Sequence, residues 1–204
     1  MSNFIYKNDL PDNLNFGNIV AIDTETMGLK ITTDRLCVLQ ISSGDGNAHL
    51  VQFDKDCNFS SPNLRKILED EKVQKIFHFA RFDINMINFN FNIEVKNIFC
   101  TKIASKLVRT YSDHHGLKSL LSEILNIDIS KQQQSSYWGA DKLSKKQINY
   151  AASDVLYLHD LKDNISKMLQ KEGKMKLAQK CFKFLETRSQ LDLIGLENID
   201  IFHH

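Results

Sequence analysis

A chain of 204 residues with 42% hydrophobic content can bury one well-packed domain with an appended element. Its formal net charge of +1 excludes a global field that draws the protein onto long nucleic acid, and leaves room for a locally basic cleft or a small anionic substrate. Two prolines and eight glycines exclude a long flexible linker or a low-complexity tail.

Residues 1–18 show neither the basic region nor the apolar run of a secretory signal. No apolar run nears the roughly 20 residues of a membrane helix, so a soluble, cytoplasmic protein is expected. "NIVAIDTET" (18–26) opens with Ile19, Val20, Ala21 and Ile22, a continuous apolar run that suits a strand buried on both faces. "RLCVLQISSGDGNAHLVQF" (35–53) predicts two strands joined at "SGDGN". "SPNLRKILED" (61–70) predicts a helix capped by Ser61, with Pro62 at its first position. A short strand follows at "VQKIFHF" (73–79), then a helix through "RFDINMINF". From about 101 the spacing is helical in "TKIASKLVRT" and "LKSLLSEILN". "LSKKQINYAASDVLYLHDLKDNISKMLQKE" then reads as one long helical stretch capped by Ser144. The segment from about 174 to 204 holds a further helix and an apolar tail, suited to packing or to a subunit contact. This order describes an α/β protein with a mixed central sheet and helices on both faces, expected as a single domain over 1–204. Four scattered cysteines without a C-x-x-C pair read as reduced thiols rather than zinc ligands or a disulfide framework.

Three places carry chemistry. Asp23 and Glu25 stand at i and i+2, on one side of a strand, with Thr24 opposite. Two carboxylates so placed repel unless something positive lies between them, and a divalent cation is the usual solution. Taken alone, an isolated D-x-E is most simply a solvated strand end. Asp83 follows the second buried strand, where a carboxylate also caps a helix and serves its dipole. Tyr150 and Asp154 stand four apart on the helix "INYAASDVLYL", so a phenol and a carboxylate share a face beside two small alanines. With four acids and no His or Cys cluster, oxygen-only ligation favours magnesium or manganese over zinc.

In this order the motifs "DTET", "FHFARFD" and "YAASD" resemble those of the DEDD superfamily of 3′-5′ exonucleases, in the tyrosine-bearing branch of the RNase D family. The block "KQQQSSYWGADKLSKKQINYAASDVLYL" also resembles RNase D, except that Tyr137 stands where the family commonly has an aspartate. The stretches "CTKIASKLVRTY", "HGLK" and "ISKQQQSS" are similar to compact diribonucleases of the nano-RNase C type. The resemblance implies a ribonuclease H-like exonuclease fold without the C-terminal HRDC domain of larger relatives. It also implies hydrolysis with two divalent cations, Mg2+ or Mn2+, releasing nucleoside 5′-monophosphates. One ion would be held by Asp23, Glu25 and Asp154, the other by Asp23 with Asp83 acting through water. Tyr150 would orient the attacking water, because a phenol with an ordinary pKa near 10 is a poor base at neutral pH. Leu29 matches a leucine that wedges against terminal bases in related exonucleases, though after a turn it is also a natural core residue.

The substrate expected is RNA, as dinucleotides or short oligomers, with longer RNA or DNA ends as the alternative. A dinucleotide needs a closed cleft and contacts for its 5′-phosphate, for which Lys102, Arg109, His114, His115 and Lys131 are candidates. No membrane partner is expected, and a homo-oligomer, octameric by resemblance, is.

Overall fold

The computed structural model describes residues 2–130 and 132–203. Its strands are β1 (Asn3–Lys7), β2 (Ile19–Thr26), β3 (Leu36–Ser42), β4 (Ala48–Gln52), β5 (Gln74–Phe77) and β6 (Ile98–Cys100). Its helices are α1 (Pro62–Glu69), α2 (Ala80–Phe91), α3 (Thr101–Val108), α4 (Leu117–Leu120), α5 (Lys145–Leu156), α6 (Leu158–Lys171) and α7 (Met175–Leu191). Both α4 and α7 run on into π-helical turns, Leu121–Leu125 and Asp192–Leu196.

Among the described residues the strands form one sheet in the order β1-β4-β3-β2-β5-β6. β2, β3 and β4 are antiparallel neighbours, while β5 and β6 run parallel to β2 on one side and β1 runs parallel to β4 on the other. The apolar run predicted for β2 is its cause: Val20, Ala21 and Ile22 are wholly buried at the centre of the sheet. Every residue of β3 and β4 is buried as well, so helices cover both faces. α5 packs against β1 to β4, and α2 against β2, β3, β5 and β6.

Two strands have no counterpart in the sequence expectation. β1 is an exposed edge strand with mostly solvated side chains, and β6 is three residues long. Neither offers the apolar alternation that marks a strand. The long stretch expected as one helix is two, α5 and α6, broken at Tyr157 (φ −107°, ψ 0°). Ser144 does cap α5, and the cap is reciprocal: Gln147 N–H donates to Ser144 Oγ at 3.3 Å, and Ser144 N–H to Gln147 Oε1 at 3.0 Å. The Gln147 amide also donates to Ser136 Oγ (3.2 Å) and to the Tyr137 carbonyl (3.0 Å). It thereby ties the start of α5 to the loop before it.

Ser61 does not cap α1. Its hydroxyl donates to the carbonyl of Asn8 instead, and the cap comes from a residue far away in sequence. Asp9 accepts from Asn63 N–H and Leu64 N–H, both at 3.0 Å. A carboxylate on two orphan N–H groups also meets the positive end of the helix dipole. Asp9→Ala should therefore destabilise the protein by about 1–2 kcal/mol. This would be read as a lower urea midpoint with an unchanged slope.

Candidate active site

Where β2 leaves the buried centre of the sheet, its sequence changes from apolar to acidic, and the strand's alternation divides these residues between two faces. Asp23 and Glu25 meet Asp154 on α5: one carboxylate oxygen from each lies within 4.8 Å of the others. Thr24 points the other way, and its hydroxyl donates to Asp83 Oδ1 on α2 at 2.6 Å. Thr24 thus couples the strand to the second helix, a role that no motif flags. Ala151 and Ala152 are 0% and 1% exposed. Their small side chains let α5 lie close to the sheet and bring Asp154 onto the strand end. Gln40, paired with Asp23 in register on β3, approaches Asp23 Oδ2 with its amide at 3.5 Å.

The electrostatics are those of crowded anions. Burial, then Asp83, Asp154 and Glu25, raise the Asp23 pKa well above the ordinary value. Burial with the charges of Asp154 and Asp83 pushes Glu25 up to about 9. Burial raises Asp83 to about 7, against the lowering effect of its hydrogen bonds from Thr24. Such a donor set, made of oxygens that hold protons because they are buried and crowded together, fits hard divalent cations. Tyr150 donates to Asp154, and burial together with the surrounding carboxylates raises its pKa far above the ordinary phenol value.

These groups line one end of a cleft of about 720 Å³. Leu29 stands at its mouth, 82% exposed, so it is not a core residue. The turn that carries it is tight: Thr26 Oγ1 donates to the Gly28 carbonyl at 2.6 Å. A Cβ on Gly28 would lie 2.2 Å from Asp34 Oδ2, so any larger residue there must displace the Asp34 carboxylate. Lys102 lines the cleft with its ammonium 3.9 Å from the centre of the Phe79 ring.

Three other proposed contacts sit elsewhere. Arg109 is 1% exposed, and its guanidinium is engaged by Glu123 and by the His114 carbonyl (2.8 Å), so it is a structural ion pair outside the cleft lining. His115 is hydrogen-bonded to Ser105 at 2.8 Å, and desolvation with the Arg109 charge lowers its pKa. His114 is exposed but not part of the lining, while Gly116, Leu117 and Lys118 of the same loop are. Lys131 lies outside the described residues. Sequence reasoning passed over Lys118 and the wall formed by Ile129, Ser130, Gln134, Ser135 and Ser136, because a loop side chain has no periodicity to betray which way it faces.

The chain matches the family described as 3′-5′ exonuclease over residues 7–170. It is 31% identical over 156 residues to ribonuclease D of Granulibacter bethesdensis and 30% identical over 166 residues to that of Acidiphilium cryptum. These alignments take in 76% and 81% of the chain but 39% and 42% of the relatives, so it spans about two fifths of their length. Among solved structures, Brucella melitensis NrnC is 52% identical, with a TM-score of 0.96 and full coverage of both chains. That protein has also been solved with bound Mg2+ (51% identity, TM-score 0.95, both chains fully covered) and bound to pGG (52%, 0.96, covering 100% of this chain and 99% of that one). Escherichia coli RNase D, at 22% identity and a TM-score of 0.74 over 85% of this chain and 45% of that one, shares the fold.

The raised carboxyl pKa values have a testable consequence for stability. The folded state binds more protons than the unfolded one between the ordinary values, 3.8 and 4.5, and the raised values of about 7 and 9. Without divalent cations these groups therefore make stability fall as pH rises through that window. Cations stabilise the ionised carboxylates and oppose the loss. The rise in Tm on adding Mg2+ should be larger near pH 8.5 than near pH 5.5; equal rises in a thermal-shift titration would contradict this electrostatic account.

Proposed function

The chain belongs to the 3′-5′ exonuclease family, and on that basis we propose that it hydrolyses short RNA, above all diribonucleotides, from the 3′ end to nucleoside 5′-monophosphates. The observation that carries the reading is the convergence of Asp23, Glu25, Asp83, Tyr150 and Asp154 at one end of a cleft of small-molecule size. Similarity along the whole chain to NrnC, which binds pGG, supports a substrate of two nucleotides.

Asp23, Glu25 and Asp154 would hold one divalent cation, and Asp23 with Asp83, through water, a second. When bound, Mg2+ or Mn2+ supplies positive charge against the scissile phosphate and makes the attacking water more acidic. Water adds across the bond between phosphorus and the 3′ oxygen. The phosphate stays on the departing 3′-terminal nucleotide and the water proton ends on the freed 3′-hydroxyl. Tyr150 keeps its own proton at neutral pH, because its pKa is raised, so it orients the water through its hydroxyl rather than acting as the base. The Thr24 hydroxyl fixes one Asp83 oxygen and leaves the other for the cleft. Leu29 presents an apolar face with nothing of its own to bury against, suited to stacking beside a terminal base. Lys102 and Lys118 line the cleft and supply charge for substrate phosphate.

A second reading, trimming of longer RNA or DNA ends, rests on similarity to ribonuclease D over part of those relatives' length and has less support. Exposed Leu177, Ile194, Ile199 and Phe202 in the C-terminal segment support self-association, octameric by resemblance, which light scattering measures. Four free cysteines support a reducing compartment such as the cytoplasm.

Turnover of two-nucleotide RNA should exceed that of seven-nucleotide RNA by roughly tenfold or more at equal concentration. Equal rates would leave the exonuclease reading intact and remove the length preference. Asp23→Ala should reduce turnover by roughly 10³-fold or more, since it takes a ligand from both ions. Tyr150→Phe should cost on the order of 10²-fold while leaving the pH profile unshifted, because the phenol is not the titrating base.

A further inference from the structure

α2 carries Asp83 in its first turn. The residue before the helix, Phe79, is left-handed (φ 67°, ψ 41°), and its own side chain makes no capping bond. Besides the Thr24–Asp83 bond, a second grip on this turn comes from the far end of the chain. Asp192 opens the π-helical turn after α7, and its side chain is 3% exposed. Its carboxylate accepts from Arg81 Nε (2.6 Å) and Nη2 (2.8 Å), from Asn85 Nδ2 (2.7 Å), and from Arg188 Nε (2.8 Å). Burial by itself raises the pKa of this acid, but the hydrogen bonds from Arg81, Asn85 and Arg188 outweigh it and hold the pKa below the ordinary value.

The chain then doubles back. Gly195 (φ 88°) turns it so that backbone carbonyls complete both guanidiniums: Arg81 Nη2 donates to Glu197 O at 2.7 Å, and Arg188 Nη2 to Leu196 O at 2.6 Å. On α2, Arg81 and Asn85 stand at i and i+4, with Asn88 next on the same stripe. At about 100° per residue, Asp83 points away from that stripe, toward the cleft. The clamp therefore holds the back of the helical turn whose front bears the carboxylate. Asn85 Oδ1 is buried without a hydrogen-bond partner among the described residues, so this amide is kept despite an unsatisfied acceptor. An apolar seam would also join α2 to α7 but would tolerate slippage. A buried charge shared among directional donors sets the register.

We propose that Asp192 is a positioning residue for the exonuclease reaction, holding the first turn of α2 so that Asp83 meets the Asp23–Glu25–Asp154 triad; this rests on the catalytic reading of Asp83 given above. Misplacement of a catalytic group by about 1 Å is enough to cost on the order of 10²-fold in rate. Asp192→Asn, assayed per folded molecule well below its Tm, should lose roughly 10–100-fold in kcat with KM within about threefold. It should also need several-fold more Mg2+ for half-maximal rate. Ser189→Ala is the control, since it removes the partner of Asn88 (2.9 Å) from the same interface without touching the clamp. Its Tm should fall while its kcat is kept. An unchanged kcat in Asp192→Asn, or losses of kcat that merely track Tm in both variants, would overturn the proposal. If Asp192→Asn does not fold, Asn85→Ala removes one donor only and is read against the same criteria. Asp83→Asn is assayed beside them: wild-type turnover in that variant refutes the role of Asp83 itself, a failure distinct from that of Asp192.

Discussion

Mutual repulsion among four acidic side chains is the constraint from which the rest of this structure follows. Asp23, Glu25 and Asp154 crowd within a few ångström, with Asp83 close enough to raise the pKa of two of them. A cluster of this kind opposes folding wherever the carboxylates are ionised and no cation lies between them. It persists only because the surrounding scaffold is rigid and well buried. β2 is held between β3 and β5 by a wholly buried apolar run, and both flanking helices are packed onto the sheet. Stability elsewhere is what allows anions to be forced together here.

The division of labour within β2 is as important as the packing. A strand offers alternate residues to opposite faces, so three consecutive positions reach two helices at once. Asp23 and Glu25 address α5, while Thr24 addresses α2 through its bond to Asp83. One strand end thereby sets the relative placement of groups from three elements. The helices need different means to comply. α5 does so by small side chains, Ala151 and Ala152, and by a capping box that fixes its start. α2 has no such box, and the clamp of Arg81 and Asn85 on Asp192, in the turn after α7, is what bears on the site.

Charge on the substrate side is distributed more sparingly than the residue types in the chain suggest. Arg109 is spent on Glu123 and a backbone carbonyl, and His115 is engaged by Ser105. Lys102 and Lys118 are the lysines of the described cleft lining. This economy agrees with a net charge of +1 and with a ligand that presents few phosphates.

The sequence by itself determined which acids and which phenol to look for: the apolar run into "DTET", the carboxylate after "KIFHF" and the i, i+4 pair in "YAASD" mark the side chains that the fold brings together. It also determined most of the sheet, because buried strands and hairpins leave periodic and turn signals that are local in the chain. What only the tertiary structure decided were properties that depend on which way a side chain faces in space. Leu29 is at the cleft mouth rather than in the core, Arg109 is buried rather than available, and Asp9 rather than Ser61 caps α1. The link from Thr24 to Asp83 and the clamp at Asp192 join residues far apart in sequence. Local patterning carries no information about such partners, since they exist only once the sheet has brought distant segments together.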